Sequence, residues 1–159
     1  MIIRPARPED AEPLTVILND VIDNTTITFT SERKNAQYLR DDIAARGAAF
    51  QVVELDGEAA GYASYFPFRN GPGYARTKEH SIALAPRARG KGAGRALMAA
   101  LEAEARREGV HSLWAGVSAE NPSGRAFHAA IGFEEIATLS EVGFKFGRWI
   151  DLVLMQKKL

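Results

Sequence analysis

The sequence predicts an α/β (α+β) fold in which a mixed sheet carries helices on its faces. Three observations lead there. Helical and strand-like segments alternate as βααβββαβαβ plus an end strand. An Asp-Gly turn joins two strand-like runs, and a basic, glycine-rich loop runs from a strand into a helix. With 159 residues, 46% of them hydrophobic and 25% charged, and with no repeat or linker, residues 1–159 read as one domain with one respectable core.

Each element has its own signal. Ile2 to Arg7 reads as a first strand, and Pro8-Glu9-Asp10 opens a helix whose Leu14, Ile17, Leu18, Val21 and Ile22 recur at helical spacing until Asn24-Thr25-Thr26 breaks it. Ser31 is placed to cap a second helix carrying Ala36, Leu39, Ile43 and Ala44, closed by Gly47. Phe50 to Leu55 and Ala59 to Phe66 form a hairpin, because Asp56-Gly57 supplies the positive φ angles of a tight turn. After the Pro- and Gly-bearing loop 67–74, Glu79 to Leu84 resumes as a strand stopped by Pro86. Gly92 to Glu108 is a helix with Leu97, Leu101 and Ala105 on one face, Ser112 to Val117 a strand, and Ser123 to Ile131 a last short helix. Ile136 to Val142 and Trp149 to Met155 then close the chain as a pair of strands.

Twenty basic and twenty acidic side chains cancel, so the long-range field that gathers nucleic acid or an anionic membrane is missing. The absence of cysteine removes disulfides, thiolate metal sites and thiol nucleophiles, and three scattered histidines give no metal signature. No apolar run reaches the roughly 20 residues of a membrane span, and the N-terminus lacks the plan of a signal peptide, so a cytoplasmic protein is expected.

Local charge is concentrated in Arg87-Ala88-Arg89-Gly90-Lys91-Gly92-Ala93-Gly94-Arg95, which holds four basic residues, three glycines and no acid between a strand and a helix. Glycines let the backbone turn its N–H groups toward one point, and the following helix adds the positive end of its dipole, so this stretch is an anion cradle. It is neither a P-loop, since Lys91 precedes Gly92 rather than Ser or Thr, nor a dinucleotide fingerprint, since no glycine lies three after Gly92 or Gly94.

Arg89-x-x-Gly92-x-Gly94 resembles the pyrophosphate signature of the GNAT acetyltransferases, and Asn121-x-x-Gly124-x-x-x-His128-x-x-x-Gly132-Phe133 resembles the second half of that family's pattern. Thr26-x-Thr28-Phe29, Glu79-His80-Ser81 and the stretch from Gly143 to Asp151 are similar to the phosphinothricin and methionine sulfone or sulfoximine acetyltransferases. The resemblance implies a GNAT-like, mostly antiparallel mixed sheet with helices on both faces. It also implies acetyl-CoA as cosubstrate, no metal, and a homodimer. Carried over by position, Ile82, Ala83 and Leu84 would pair with the pantetheine arm, Arg89, Gly90, Lys91, Gly92, Ala93, Gly94 and Arg95 would hold the pyrophosphate, and Asn121 would contact the cofactor.

Acetyl transfer to an amine needs a neutral amine, a stabilised oxyanion and a proton for the leaving thiolate. The resemblance makes Glu79 the general base, directly or through water, and His128 the general acid; His80 and His111 read as structural. No Gly-x-Ser-x-Gly elbow is present, so direct attack is expected rather than an acyl-enzyme. An amino-acid acceptor offers a carboxylate, for which Arg76 is the candidate partner, with Arg69 behind it and Lys78 standing where the relatives have an apolar residue. Phe29, Tyr74 and Trp149 are candidate walls of the acceptor pocket. The expected activity is N-acetylation of a small amino acid such as methionine sulfone, methionine sulfoximine or phosphinothricin. The alternatives are another amine, such as a polyamine or a protein N-terminus, and a CoA-binding sensor without catalysis.

Overall fold

The computed structural model describes all 159 residues. Its strands are β1 (Ile2–Pro5), β2 (Phe50–Leu55), β3 (Glu58–Pro67), β4 (Thr77–Leu84), β5 (Ser112–Ser118), β6 (Glu134–Lys145) and β7 (Arg148–Lys158). The helices are α1 (Ala11–Asn24), α2 (Ala36–Arg46), α3 (Ala93–Arg107) and α4 (Pro122–Ala130). One seven-stranded sheet runs in the order β1-β2-β3-β4-β5-β7-β6, antiparallel at every junction except β4 with β5. The mixed, mostly antiparallel sheet expected from the sequence is therefore the one observed.

Two apolar layers sandwich the sheet, because successive strand residues point to opposite faces. Leu14, Leu39 and Ile43 of α1 and α2 meet Phe50, Val52 and Tyr62 on one face. Leu97, Met98 and Leu101 of α3 meet Val53, Ala63, Leu113 and Phe133 on the other. The β2–β3 turn uses the predicted geometry, with Asp56 at φ 52 and Gly57 at φ 81.

Ser31 does not cap α2. Asn35, extended at φ −111 and ψ 170, does so, its Oδ1 accepting from Tyr38 N at 2.9 Å. Asn19 of α1 fixes the reason: it accepts from Lys34 N at 2.9 Å and donates to Lys34 O at 2.8 Å, so the chain up to Lys34 is spoken for and the helix starts only at Ala36. The first strand stops at Pro5 rather than Arg7, and the last two strands run longer than their apolar cores, through Lys145 and Lys158.

The feature that makes room for a ligand is the β4–β5 junction. The parallel pairing covers only Thr77 to Glu79 against Ser112 to Trp114, and past Glu79 the two strands part. One edge of β4 from His80 to Leu84 is left without a strand partner.

Candidate active site

The parting of β4 and β5 opens a cleft of about 1020 Å³. Its cofactor-sized limb is walled by Ile82, Ala83 and Leu84 of β4, by Ala115, Gly116 and Val117 of β5, and at its foot by Arg89, Gly90, Gly92, Ala93, Gly94 and Arg95. The foot is built as an anion cradle. Gly90 and Gly92 take φ angles of 69 and 79, which glycine alone adopts freely, and a Cβ on either would meet only open space. The first helical hydrogen bond of α3 runs from Ala96 N to Gly92 O, and no side chain caps the helix, so the amides of Ala93, Gly94 and Arg95 have no helical acceptor. Gly94 serves packing instead: its backbone is ordinary, but a Cβ would stand 3.2 Å from the Phe127 ring of α4. Arg89 turns back on the strand, donating to Leu84 O at 3.2 and 3.3 Å, and so fixes the loop against β4. Lys91 is exposed and off the wall. Asn121 lines the cleft and caps α4, its Oδ1 accepting from Gly124 N at 3.0 Å, which leaves its Nδ2 free.

Glu79 lies where the strands part. It is half-buried, and burial pushes its carboxyl above the usual range. It pairs across the sheet with Phe66, on the face that carries α1 and α2. Side chains of this face, Lys34, Tyr38, Asp42, Arg46, Tyr62 and Ser81, form the other limb of the cleft.

His80, the next residue, points to the opposite face, against His128 of α4 and Phe133. The two histidines are 5% and 6% exposed, and their Nε2 atoms are 3.0 Å apart. His128 Nδ1 lies 2.7 Å from Gly124 O. A carbonyl only accepts, so His128 carries its proton on Nδ1, its Nε2 is a lone pair, and His80 Nε2 supplies the N–H between the rings. His80 Nδ1 is then a buried lone pair without a partner. Burial pushes both rings below the usual histidine range, and His128 pushes His80 further. In this arrangement the N–H of His128 is committed to Gly124 O, and His80, read as structural, is buried with its own tautomer set by His128.

The acceptor candidates also need correction. Arg76 is exposed, precedes β4 and is absent from the cleft wall; its carbonyl, not its guanidinium, is engaged, accepting from His111 N at 2.8 Å. Tyr74 is 44% exposed and likewise off the wall. Arg69 reaches only over the Phe68 ring, and Lys78 is held inside the β3–β4 and β4–β5 pairings, outside the cleft. Phe29 packs against β6, its ring filling the space beside Gly143, and Trp149 is 60% exposed against Phe144. The cations that do reach this limb, Lys34 and Arg46, went unread in the sequence. Their one signal was the Asp42/Arg46 pair at helical spacing beside the apolar Leu39 and Ile43.

A split sheet with an anion cradle at one end of the cleft and a half-buried carboxyl at its middle fits a CoA-dependent acyltransferase. Residues 16–133 match the model described as the acetyltransferase (GNAT) family, and the chain belongs to that family. It is 36% identical over 164 residues to a methionine sulfoximine/methionine sulfone acetyltransferase of Salmonella typhimurium, covering 100% of this chain and 95% of the relative. Among solved structures it matches a ribosomal-protein-alanine N-acetyltransferase from Brucella melitensis at a TM-score of 0.95 and 41% identity, over 100% of both chains. It also matches a phosphinothricin acetyltransferase from Sinorhizobium meliloti, in complex with acetyl-CoA, at 0.92 and 31%, over 99% of this chain and 88% of the other.

Proposed function

We propose that this protein transfers the acetyl group of acetyl-CoA to the amino group of a small amino acid of the methionine sulfone, methionine sulfoximine or phosphinothricin kind, and works as a homodimer. The observation that carries the acceptor class is the charge around Glu79. Lys34, Arg46, Asp42 and Glu79 all line that limb, a balanced set that suits a zwitterion. A polyamine site would be acidic. The names of the relatives from Salmonella typhimurium and Sinorhizobium meliloti support the same class.

The residues present fit the cosubstrate: the open space over Gly90 and Gly92 and the unpaired amides of Ala93 to Arg95 would hold a pyrophosphate, the free edge of Ile82 to Leu84 an amide arm, and Asn121 Nδ2 a carbonyl. When bound, the thioester would supply an acyl carbon open to attack by the amine; as the C–N bond forms and the C–S bond breaks, one amine proton would leave with the CoA sulfur as the free thiol. Glu79 takes the proton from the acceptor's ammonium, directly or through a water, and its raised pKa brings it nearer to that task at neutral pH. The neutral His80–His128 pair lines the opposite side of the cleft.

Thiol release in the presence of acetyl-CoA and L-methionine sulfone, L-methionine sulfoximine, phosphinothricin, spermidine or an alanine-leading peptide tests this reading. Turnover is expected with the first three. Turnover confined to spermidine or to the peptide would replace the acceptor class, and acetyl-CoA binding without turnover on any acceptor would make the protein a sensor. Glu79→Gln should lower turnover by roughly two to four powers of ten while calorimetric binding of acetyl-CoA persists. Wild-type turnover of that variant across about pH 6 to 9 would remove Glu79 as base.

A further inference from the structure

We infer that Arg46, at the end of α2, is the residue that holds the acceptor's carboxylate and thereby selects amino acids over simple amines; the inference rests on the amino-acid reading above. The guanidinium is placed by three contacts. Its Nη1 donates to Ser64 Oγ at 3.0 Å, its Nη2 is 3.3 Å from Asp42 Oδ2, and its plane lies over the Phe66 ring, 5.0 Å from the centroid. Phe66 is the direct cross-strand partner of Glu79, and Ser64 that of Ser81. Directly opposed residues share a sheet face with Cβ atoms roughly 4.5 to 5.5 Å apart. The register therefore sets Arg46 on the same face as the carboxyl that receives the amine's proton, one side chain away from it.

The geometry suits a carboxylate. Arginine offers five N–H groups in a rigid fork, and here one goes to Ser64 while the Asp42 contact has the distance of an ion pair without a directed hydrogen bond. No other acceptor in the chain meets the guanidinium, although the side chain is largely buried at 23% exposure on the cleft wall. A guanidinium held in place on the cleft wall, with N–H groups directed at no acceptor of the chain, can offer them to a carboxylate. The other cations are less suited. Lys34 Nζ is placed over the Tyr38 ring at 4.6 Å, Arg89 is turned onto Leu84 O, and Arg95 belongs to the phosphate loop. An α-amino acid bound between Glu79 and Arg46 would place its amine and carboxylate on groups of opposite charge, while an amine lacking the carboxylate would leave the fork unmatched.

The test compares kcat/KM for L-methionine sulfone with that for 3-(methylsulfonyl)propan-1-amine, its decarboxylated counterpart, at saturating acetyl-CoA in wild type, Arg46→Gln and Arg46→Lys. Wild type should prefer the acid. Arg46→Gln should lose at least about tenfold on the acid and little on the amine, so that the preference collapses, and Arg46→Lys should fall between, because it keeps the charge but not the fork. Unchanged calorimetric affinity for acetyl-CoA shows that the variants remain folded, and should Arg46→Gln lose it, Arg46→Lys carries the comparison. Equal losses on acid and amine would make Arg46 a packing residue. A preference that survives in Arg46→Gln but disappears in Lys34→Gln or Arg76→Ala would move the carboxylate there and overturn the inference. A wild type that uses the amine as well as the acid would overturn the amino-acid reading itself, which is a different result from either.

Discussion

His80 and His128 illustrate how one hydrogen bond decides the chemistry of a residue. Because Gly124 O can only accept, the protons of the pair are fixed at His128 Nδ1 and His80 Nε2, and adding a third would set two N–H groups against each other across 3.0 Å. The folded protein therefore holds both rings neutral at a pH where the unfolded chain, with histidines titrating near about 6.5, takes up protons. With the unfolded state binding more protons, stability rises with pH in this range and is lost as pH falls below about 6.5, above the window in which ordinary carboxylates titrate. Urea unfolding between about pH 7 and 5.5 should show this loss, each proton contributing a limiting slope of about 1.4 kcal/mol per pH unit. His80→Gln, whose amide can still donate to His128, should show a shallower dependence. An unchanged slope would mean that the pair is not held neutral.

Among the elements, the loop from β4 to α3 is where sequence and structure agree most closely, because its glycines and its cations serve a backbone arrangement that is local. Even so, the three glycines are not equivalent. Gly90 and Gly92 are turned by their positive φ angles toward open space, whereas Gly94 is a contact point for Phe127, so a substitution at Gly94 would measure the packing of α3 on α4. Gly92→Val is the informative glycine variant, and acetyl-CoA affinity should fall at least tenfold, about 1.4 kcal/mol. Since valine also strains that backbone, Arg95→Ala provides the unstrained comparison. Arg95 is exposed in the first turn of α3, so its loss should weaken acetyl-CoA several-fold without lowering thermal stability, and the difference from wild type should shrink as salt is raised. Undiminished calorimetric affinity in both variants would place the pyrophosphate elsewhere.

At the scale of the whole molecule, the β6–β7 hairpin connects an exposed surface to the acceptor side of the cleft. Lys145, buried at the end of β6, donates from Nζ to Thr25 O at 2.6 Å and Thr28 O at 2.9 Å, and Gly143 leaves room for the Phe29 ring. The hairpin thus holds the α1–α2 connector, whose Ile27, Thr28 and Thr30 line the cleft. Phe144 and Trp149 pack edge to face across the strands while 55% and 60% exposed, and Val142 and Phe146 of the same hairpin are exposed too. An apolar patch of this kind favours a second copy as cover, in keeping with the proposed homodimer. Sedimentation at micromolar concentration should give twice the 17.3 kDa chain mass, and Trp149→Glu should give the single mass with the fold retained. A monomeric wild type would remove the dimer from the proposal.

The sequence by itself determined the order of the elements, the Asp-Gly turn and the basic, glycine-rich loop, since these rest on periodicity and on residues adjacent along the chain, and its motifs carried the resemblance to the family. It did not determine which charged side chains share the cleft. Arg46 and Glu79 are 33 positions apart and share a cleft wall only because β3 pairs with β4 in a register that sets Phe66, under Arg46, beside Glu79. His80 and His128 meet only because α4 lies over the face of β4 that Glu79 does not use. Arg76, close to Glu79 along the chain, was the natural candidate for the carboxylate, yet a strand turns successive side chains to opposite faces and the chain before β4 runs on the surface. Nearness in sequence decided the loop; sheet register, a property of strands brought together from far apart, decided which side chains share the cleft.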